Sequence, residues 1–145
     1  MGALDARRGR RPLSYLLDST VIIDFVIGYQ PGVHIVRRLF EETSDLFTCD
    51  VVTCEALSRG GDEEIKAVAS LLNALEYVAL SPAGARWAGE RRRQRIEAGR
   101  SKPSTADVLI AALAHSLGAT VVTRNAADFA ALDVPVLGYG QSGAS

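Results

Sequence analysis

Four carboxylates, Asp18, Glu55, Asp107 and Asp128, each stand where an apolar run begins or ends. Asp18 closes Tyr15-Leu16-Leu17, Glu55 follows the run around Val51 and Val52, and Asp107 opens the stretch from Val108 to Leu113. Asp128 comes just after Val121-Val122 and the turn Thr123-Arg124-Asn125. Folded as one parallel sheet with covering helices, these runs bring the acids to a single edge. Open α/β sheets build their sites there, outside the carboxyl ends of the strands. Four carboxylates in one place repel and titrate abnormally unless a cation joins them. Hard divalent ions with oxygen ligands, magnesium or manganese, answer that need.

The rest of the chain supplies the alternation such a sheet requires. Leu13–Leu17 reads as a first strand, Ser19-Thr20 as N-cap chemistry, and Val21–Ile27 as a short helix ended by Gly28. Pro31 suits the first turn of a helix whose stripe is Val33, Val36, Leu39 and Phe40. Leu46–Thr53 alternates and clusters β-branched residues, predicting a second strand, and Glu55 to Ser58 would then start a short helix closed by Gly60-Gly61. Asp62, Glu63 and Glu64 open a helix carrying Ile65, Val68, Leu71, Leu72 and Leu75. Tyr77–Leu80 is a short strand, Ser81-Pro82 begins a basic helix that fades near Gly99, and Ser104–Leu117 is a helix with Gly118 at its end. Ala119–Thr123 and Val134–Leu137 complete the strands. The expectation is an α/β three-layer sandwich with a mostly parallel central sheet. It spans residues 13–137, between a flexible basic tail (1–12) and a flexible Gly/Ser tail (138–145).

At 145 residues, 48% apolar and with five prolines, the chain reads as one folded domain rather than a disordered segment. Cys49 and Cys54 are too few for a disulfide framework; both read as small buried hydrophobes in a reducing cytoplasm. No apolar stretch reaches the length of a membrane span. Arg7-Arg8 and Arg10-Arg11 before Leu13–Ile27 imitate a twin-arginine signal, but Asp18 and Asp24 interrupt the apolar region it would need. Net charge is −1, unevenly spread: Arg86 to Lys102 holds seven basic residues against Glu90 and Glu97, a local +5. The first twelve residues, with four arginines and Asp5, are +3, which leaves −9 for the remainder. A basic stretch beside an acidic centre suits an anionic polymer brought to a metal site.

Taken singly, each acid has a structural reading. Asp18 can cap a helix after a strand, Asp24 reads as a solvated or capping acid, and Glu55 can complement a helix dipole. Ser104 and Asp107 have capping-box spacing, and Asp128 can cap a short helix through Ala131 and Leu132. Yet Val108 to Leu113 is apolar all round, so Asp107 opens a buried helix where a charge needs a partner. Four acids at four strand-to-helix transitions outweigh the separate readings.

Leu17-Asp18-Ser19-Thr20, Glu55 some forty residues on, Ala106-Asp107-Val108-Leu109-Ile110-Ala111-Ala112 and Val122-Thr123-Arg124-Asn125-Ala126-Ala127-Asp128-Phe129 resemble the PIN-domain proteins, specifically VapC-type toxins of bacterial toxin–antitoxin pairs. The resemblance runs from about Leu13 to Leu137. It implies a PIN-like sandwich and a magnesium- or manganese-dependent ribonuclease, with Asp18, Glu55, Asp107 and Asp128 as metal ligands. It also implies a cognate antitoxin and a homodimer. Thr20 and Asn125 match small polar positions that line such sites. Asn125 stands where some members carry an aspartate, so Asn125 and Asp128 compete for the fourth role.

The chemistry is consistent with that resemblance. Phosphodiester hydrolysis needs an activated water and relief of phosphate charge, which bound magnesium supplies. His34 and His115 stand alone, no histidine and cysteine spacing forms a zinc site, and no glycine-rich phosphate loop is present. Arg91, Arg92, Arg93 and Arg95, with Trp87 beside them, read either as RNA-phosphate contacts or as a solvated face whose stems cover apolar surface. The segment 99–103 would lead the RNA toward Asp107. Two other functions compete. A non-catalytic PIN module for RNA or protein binding would usually have lost an acid. A phosphoryl-transfer domain would want a second acid two residues after Asp18, where Thr20 stands, or a lysine near Thr123-Arg124-Asn125.

Overall fold

The central strand β1 (Ser14–Leu17) places Leu16 and Leu17 fully out of solvent, because it is flanked by strands on both sides and by helices on both faces. The computed structural model describes residues 13–42 and 45–140, so the two predicted tails lie outside the described residues except for 138–140. After β1 come α1 (Ser19–Ile27), α2 (Gln30–Glu41), β2 (Asp45–Cys49), α3 (Asp50–Ala56), α4 (Asp62–Asn73) and β3 (Glu76–Val78). The second half continues with α5 (Pro82–Glu97), α6 (Thr105–Leu117), β4 (Thr120–Thr123), α7 (Ala126–Ala130) and β5 (Val136–Gly138). The order across the sheet is β3-β2-β1-β4-β5, and every pairing is parallel, in register Leu16↔Phe47, Leu17↔Val122, Cys49↔Val78 and Thr123↔Gly138.

That order winds outward from β1 in both directions. Right-handed crossovers therefore put the helices of the two halves on opposite faces. α1 packs on α2 and α4 in one layer, while α6 packs on α5 and α7 in the other. α3 touches both α1 and α6 and so joins the layers at the carboxyl edge of the sheet. This is the expected α/β sandwich, with an all-parallel sheet among the described residues. α1 and α6 end as their glycines predict: Gly28 (φ 82°) and Gly118 (φ 64°) adopt the left-handed conformation that closes a helix at little cost only without a Cβ. Among the described residues no single helix is long and apolar enough to cross a membrane; α1 and α2 bend by 108°.

One predicted element is corrected. Leu46–Thr53 is not one strand: the sheet takes Asp45–Cys49, and Asp50–Ala56 is helical. Val51, Val52 and Thr53 favour strands intrinsically, but Asp50 sits in a first helical turn where its charge complements the dipole, and Val52 is buried. Glu55 therefore lies in the last turn of α3 rather than at a helix start. The sheet's outer strands are also shifted from their predicted ranges, Tyr77–Leu80 to Glu76–Val78 and Val134–Leu137 to Val136–Gly138. Cys49 is buried as expected, but Cys54 is exposed.

Because the sheet is held together through β1, truncating its side chains carries the largest cost. Leu16→Ala is expected to lower unfolding stability by about 2–5 kcal/mol, as core leucine truncations do, measured by urea denaturation with an unchanged m-value.

Candidate active site

The direction of winding reverses between β1 and β4, and the crevice beyond the carboxyl ends of those two strands is where such a sheet binds ligands. Asp18 is the first residue beyond β1. Its N–H donates to the Val122 carbonyl at 2.9 Å and extends the ladder by one step. It occupies the N-cap position of α1 but makes no side-chain cap bond, so the capping reading does not hold for its carboxylate. Instead Oδ2 accepts hydrogen bonds from Thr20 Oγ1 at 3.0 Å and Thr123 Oγ1 at 2.8 Å. With Asp18 only 3% exposed, those hydroxyls meet the demand of a buried charge for donors.

Thr123 is a site residue the sequence reading passed over. Buried at the end of β4, its Oγ1 also accepts from the Asn125 N–H at 3.0 Å. Thr20 Oγ1 accepts in turn from the Arg124 N–H at 3.1 Å. The two hydroxyls thus stitch the β4–α7 turn onto the β1–α1 junction. The available signal was the β-branched hydroxyl immediately before Arg124-Asn125, at the end of an apolar strand. Asn125 itself occupies the N-cap position of α7, where its side chain makes no cap bond.

Glu55 reaches the crevice from α3, and its Oε1 accepts from Ser19 Oγ at 3.0 Å. Asp107 arrives from the first turn of α6, where Ser104 caps the helix by accepting the Asp107 N–H at 3.0 Å. Burial first, and then the charges of Asp18, Asp128 and Glu55, push the Asp107 carboxyl up from 3.8 to about 6, against a hydrogen bond from Ser104 that favours ionisation. Asp107 therefore feels the charges of the other three predicted acids. Asp128, in the first turn of α7, and Glu55 are exposed, and Asp107 is half-buried. Among the described residues no three His, Cys, Asp or Glu side chains stand close enough to form a ready metal cage. The donor set is nonetheless all oxygen and mutually repulsive, which fits a hard divalent ion. Beside it runs a groove of about 420 Å³ lined by Ser19, Thr20, Glu55, Arg59 and Arg124 among others.

Asp24 corrects its sequence reading as a solvated or capping acid. It is 1% exposed; Oδ1 meets Arg124 Nη1 at 3.2 Å, and Oδ2 accepts from the Tyr139 hydroxyl at 2.7 Å. Burial, and next the hydrogen bond and charge of Asp24, raise the Tyr139 hydroxyl well above the usual phenol range. Gly32 makes room for this acid, since a Cβ there would stand 2.7 Å from the Asp24 Cβ.

The basic helix is largely engaged internally. Arg91 Nη1 pairs with Asp133 at 2.6 Å, and its guanidinium lies 4.5 Å over the Trp87 ring, which stacks on His115. Arg92 donates to the Pro103 carbonyl at 3.0 Å and Arg95 to the Ala131 carbonyl at 3.1 Å, clamping the segments before α6 and after α7. Arg93 is exposed, 4.0 Å from Glu90.

The PIN domain family matches residues 15–135. Solved structures share the fold across most of the chain. VapBC2 from Rickettsia felis, bound to a DNA fragment from its promoter, is 18% identical, with a TM-score of 0.75 over 88% of this chain and 100% of that one. FitAcB from Neisseria gonorrhoeae is 23% identical, with a TM-score of 0.69 over 85% of this chain and 96% of that one. VapC20 from Mycobacterium tuberculosis, a sarcin–ricin-loop-cleaving toxin, is 14% identical, with a TM-score of 0.65 over 81% of this chain and 94% of that one. Among curated proteins none matches. With that match running from β1 to the threshold of β5, over a parallel sheet that reverses its winding beside Asp18, this chain belongs to the PIN domain family.

Proposed function

We propose that this protein is a metal-dependent endoribonuclease, the toxic component of a toxin–antitoxin pair acting in the cytoplasm. The observation that carries the reading is Asp107, whose carboxyl is raised to about 6 by burial and by three neighbouring acids. A folded protein that keeps such repulsion at a sheet edge has a use for the cation that relieves it. Structural neighbours that include toxin–antitoxin proteins and a sarcin–ricin-loop-cleaving toxin support the biological half of the reading.

In this proposal Asp18, Glu55, Asp107 and Asp128 hold magnesium or manganese, which when bound relieves phosphate charge and acidifies a water. The chain's own residues prepare that site. Thr20 and Thr123 hold Asp18 Oδ2, Ser19 holds Glu55 Oε1, and Ser104 sets the first turn from which Asp107 projects. Asn125, bonded through its N–H to Thr123, stands where it orients substrate or water. Of Arg91, Arg92, Arg93 and Arg95, the exposed Arg93 is assigned to RNA phosphate, while Arg91, Arg92 and Arg95 shape the approach. An antitoxin arginine pairing with the acid cluster would silence the enzyme, since guanidinium matches carboxylate geometry. A homodimer completes the proposed assembly. A non-catalytic PIN module is the second reading, favoured by the absence of a closed metal cage among the described residues.

Replacing Asp107 by Asn preserves shape and removes a ligand. RNA cleavage in magnesium is expected to fall by more than the roughly 10–100-fold typical of a ligand's supporting partners, with the melting temperature retained; full activity in this variant would support the non-catalytic reading.

The raised Asp107 carboxyl also predicts a pH dependence. Folded, it binds its proton more tightly than the unfolded chain does, so its contribution to stability is complete below the usual 3.8 and is lost as pH rises through about 6. In chelator, the wild type is expected to lose melting temperature relative to Asp107→Asn between about pH 4 and pH 7. Magnesium at neutral pH should then raise the wild type more than the variant. Parallel melting curves across that range would contradict the assignment.

A further inference from the structure

Asp24, Arg124 and Tyr139 form a cluster that the four-acid site does not use. Both oxygens of the buried Asp24 carboxylate are engaged, one by Arg124 Nη1 at 3.2 Å and the other by the Tyr139 hydroxyl at 2.7 Å. The Arg124 side chain is 46% exposed, and it lines the same groove as Thr20 and Glu55. Its backbone N–H donates to Thr20 Oγ1, which itself donates to Asp18 Oδ2, so a single hydroxyl links this arginine to the acid site.

An ion pair with one partner buried is weak evidence for stability, because apolar residues of similar volume often do as well or better. What the pair secures here is the position of a guanidinium. Arg124 is gripped from behind by a carboxylate that is itself fixed by Tyr139 and pressed against Gly32. With Arg59, it lines a groove whose lining acid is Glu55. Acids alone would repel an RNA strand; a fixed planar cation beside them binds phosphate with defined geometry.

We propose that Arg124 binds a backbone phosphate of the RNA strand whose scissile phosphate lies at the acids, with Asp24 and Tyr139 as its positioning residues. This rests on the ribonuclease reading above and specifies how the strand is held. One phosphate contact by one cation carries a definite signature: on single-stranded nucleic acid each contributes about 0.7 to the slope of log affinity against log salt.

The test measures anisotropy of a labelled mixed-sequence single-stranded RNA against salt, at fixed magnesium, in the cleavage-deficient Asp107→Asn background. Adding Arg124→Gln is expected to weaken binding severalfold and reduce the slope by about 0.7. Should that variant fail to fold with Asp24 left unpaired, Asp24→Asn/Arg124→Gln removes both charges together and is compared with Asp24→Asn alone; the same slope difference is expected. In active protein, Tyr139→Phe should raise KM more than it lowers kcat. Loss of melting temperature with an unchanged slope would make Arg124 a structural brace only and overturn the proposal. An Asp107→Asn parent that shows no salt-dependent RNA binding would overturn the ribonuclease reading as well, so the two failures are distinct.

Discussion

Asp18 is 3% exposed at the end of the central strand, and a carboxylate in such a place must be met by donors or by a cation. The donors come from two elements that only the parallel pairing of β1 and β4 brings together: Thr20 from the first turn of α1, and Thr123 from the last position of β4. The register Leu17↔Val122 sets Thr123 beside Asp18, and the bond from the Asp18 N–H to the Val122 carbonyl holds it there. Slipping a parallel strand by one residue would turn the Thr123 hydroxyl to the other face and leave the acid without its shorter hydrogen bond. The fully buried sheet and the chemistry at its edge are therefore one constraint. Leu16, Leu17, Val121 and Val122 bury the strands and so specify the register on which the polar edge depends.

Charge is arranged around that edge in layers. The innermost acid is bonded to hydroxyls, and burial, then the charge of its neighbours, raises the Asp107 carboxyl to about 6. Glu55 is anchored through Ser19. Four arginines have structural partners: Arg124 on Asp24, Arg91 on Asp133 and Trp87, Arg92 and Arg95 on backbone carbonyls. Arginine suits both tasks, because its planar fork can hold one partner while presenting charge to another. The local +5 of the basic segment therefore overstates the cation it offers to a polymer, since several of those side chains clamp the loops next to α6 and α7.

Much of this was legible along the chain because the signals are local. Apolar runs bounded by acids marked β1, β4 and the start of α6; Gly28 and Gly118 marked helix ends; Ser81 and Ser104 marked helix starts, where each caps its helix. The misreadings share one physical origin. Val51, Val52 and Thr53 look like strand residues, yet α3 forms with Asp50 complementing its dipole and Val52 and Ala56 buried, and that carries Glu55 to the crevice. Asp24 looks like a surface acid because its partners, Arg124 and Tyr139, lie 100 and 115 residues away. Arg91 looks available because Asp133 is 42 residues distant.

By itself the sequence determined the alternation of strands and helices and the parallel sheet class, and it singled out four acids as candidates, since periodicity, caps and acids at the ends of apolar runs are properties of neighbouring residues. Only the tertiary structure decided which hydroxyls hold Asp18, which acid burial and neighbouring charge keep protonated longest, and which arginines face inward. Those outcomes depend on strand order and register, and a hydrogen bond or a Coulomb repulsion falls off over a few ångströms that no spacing along a chain records.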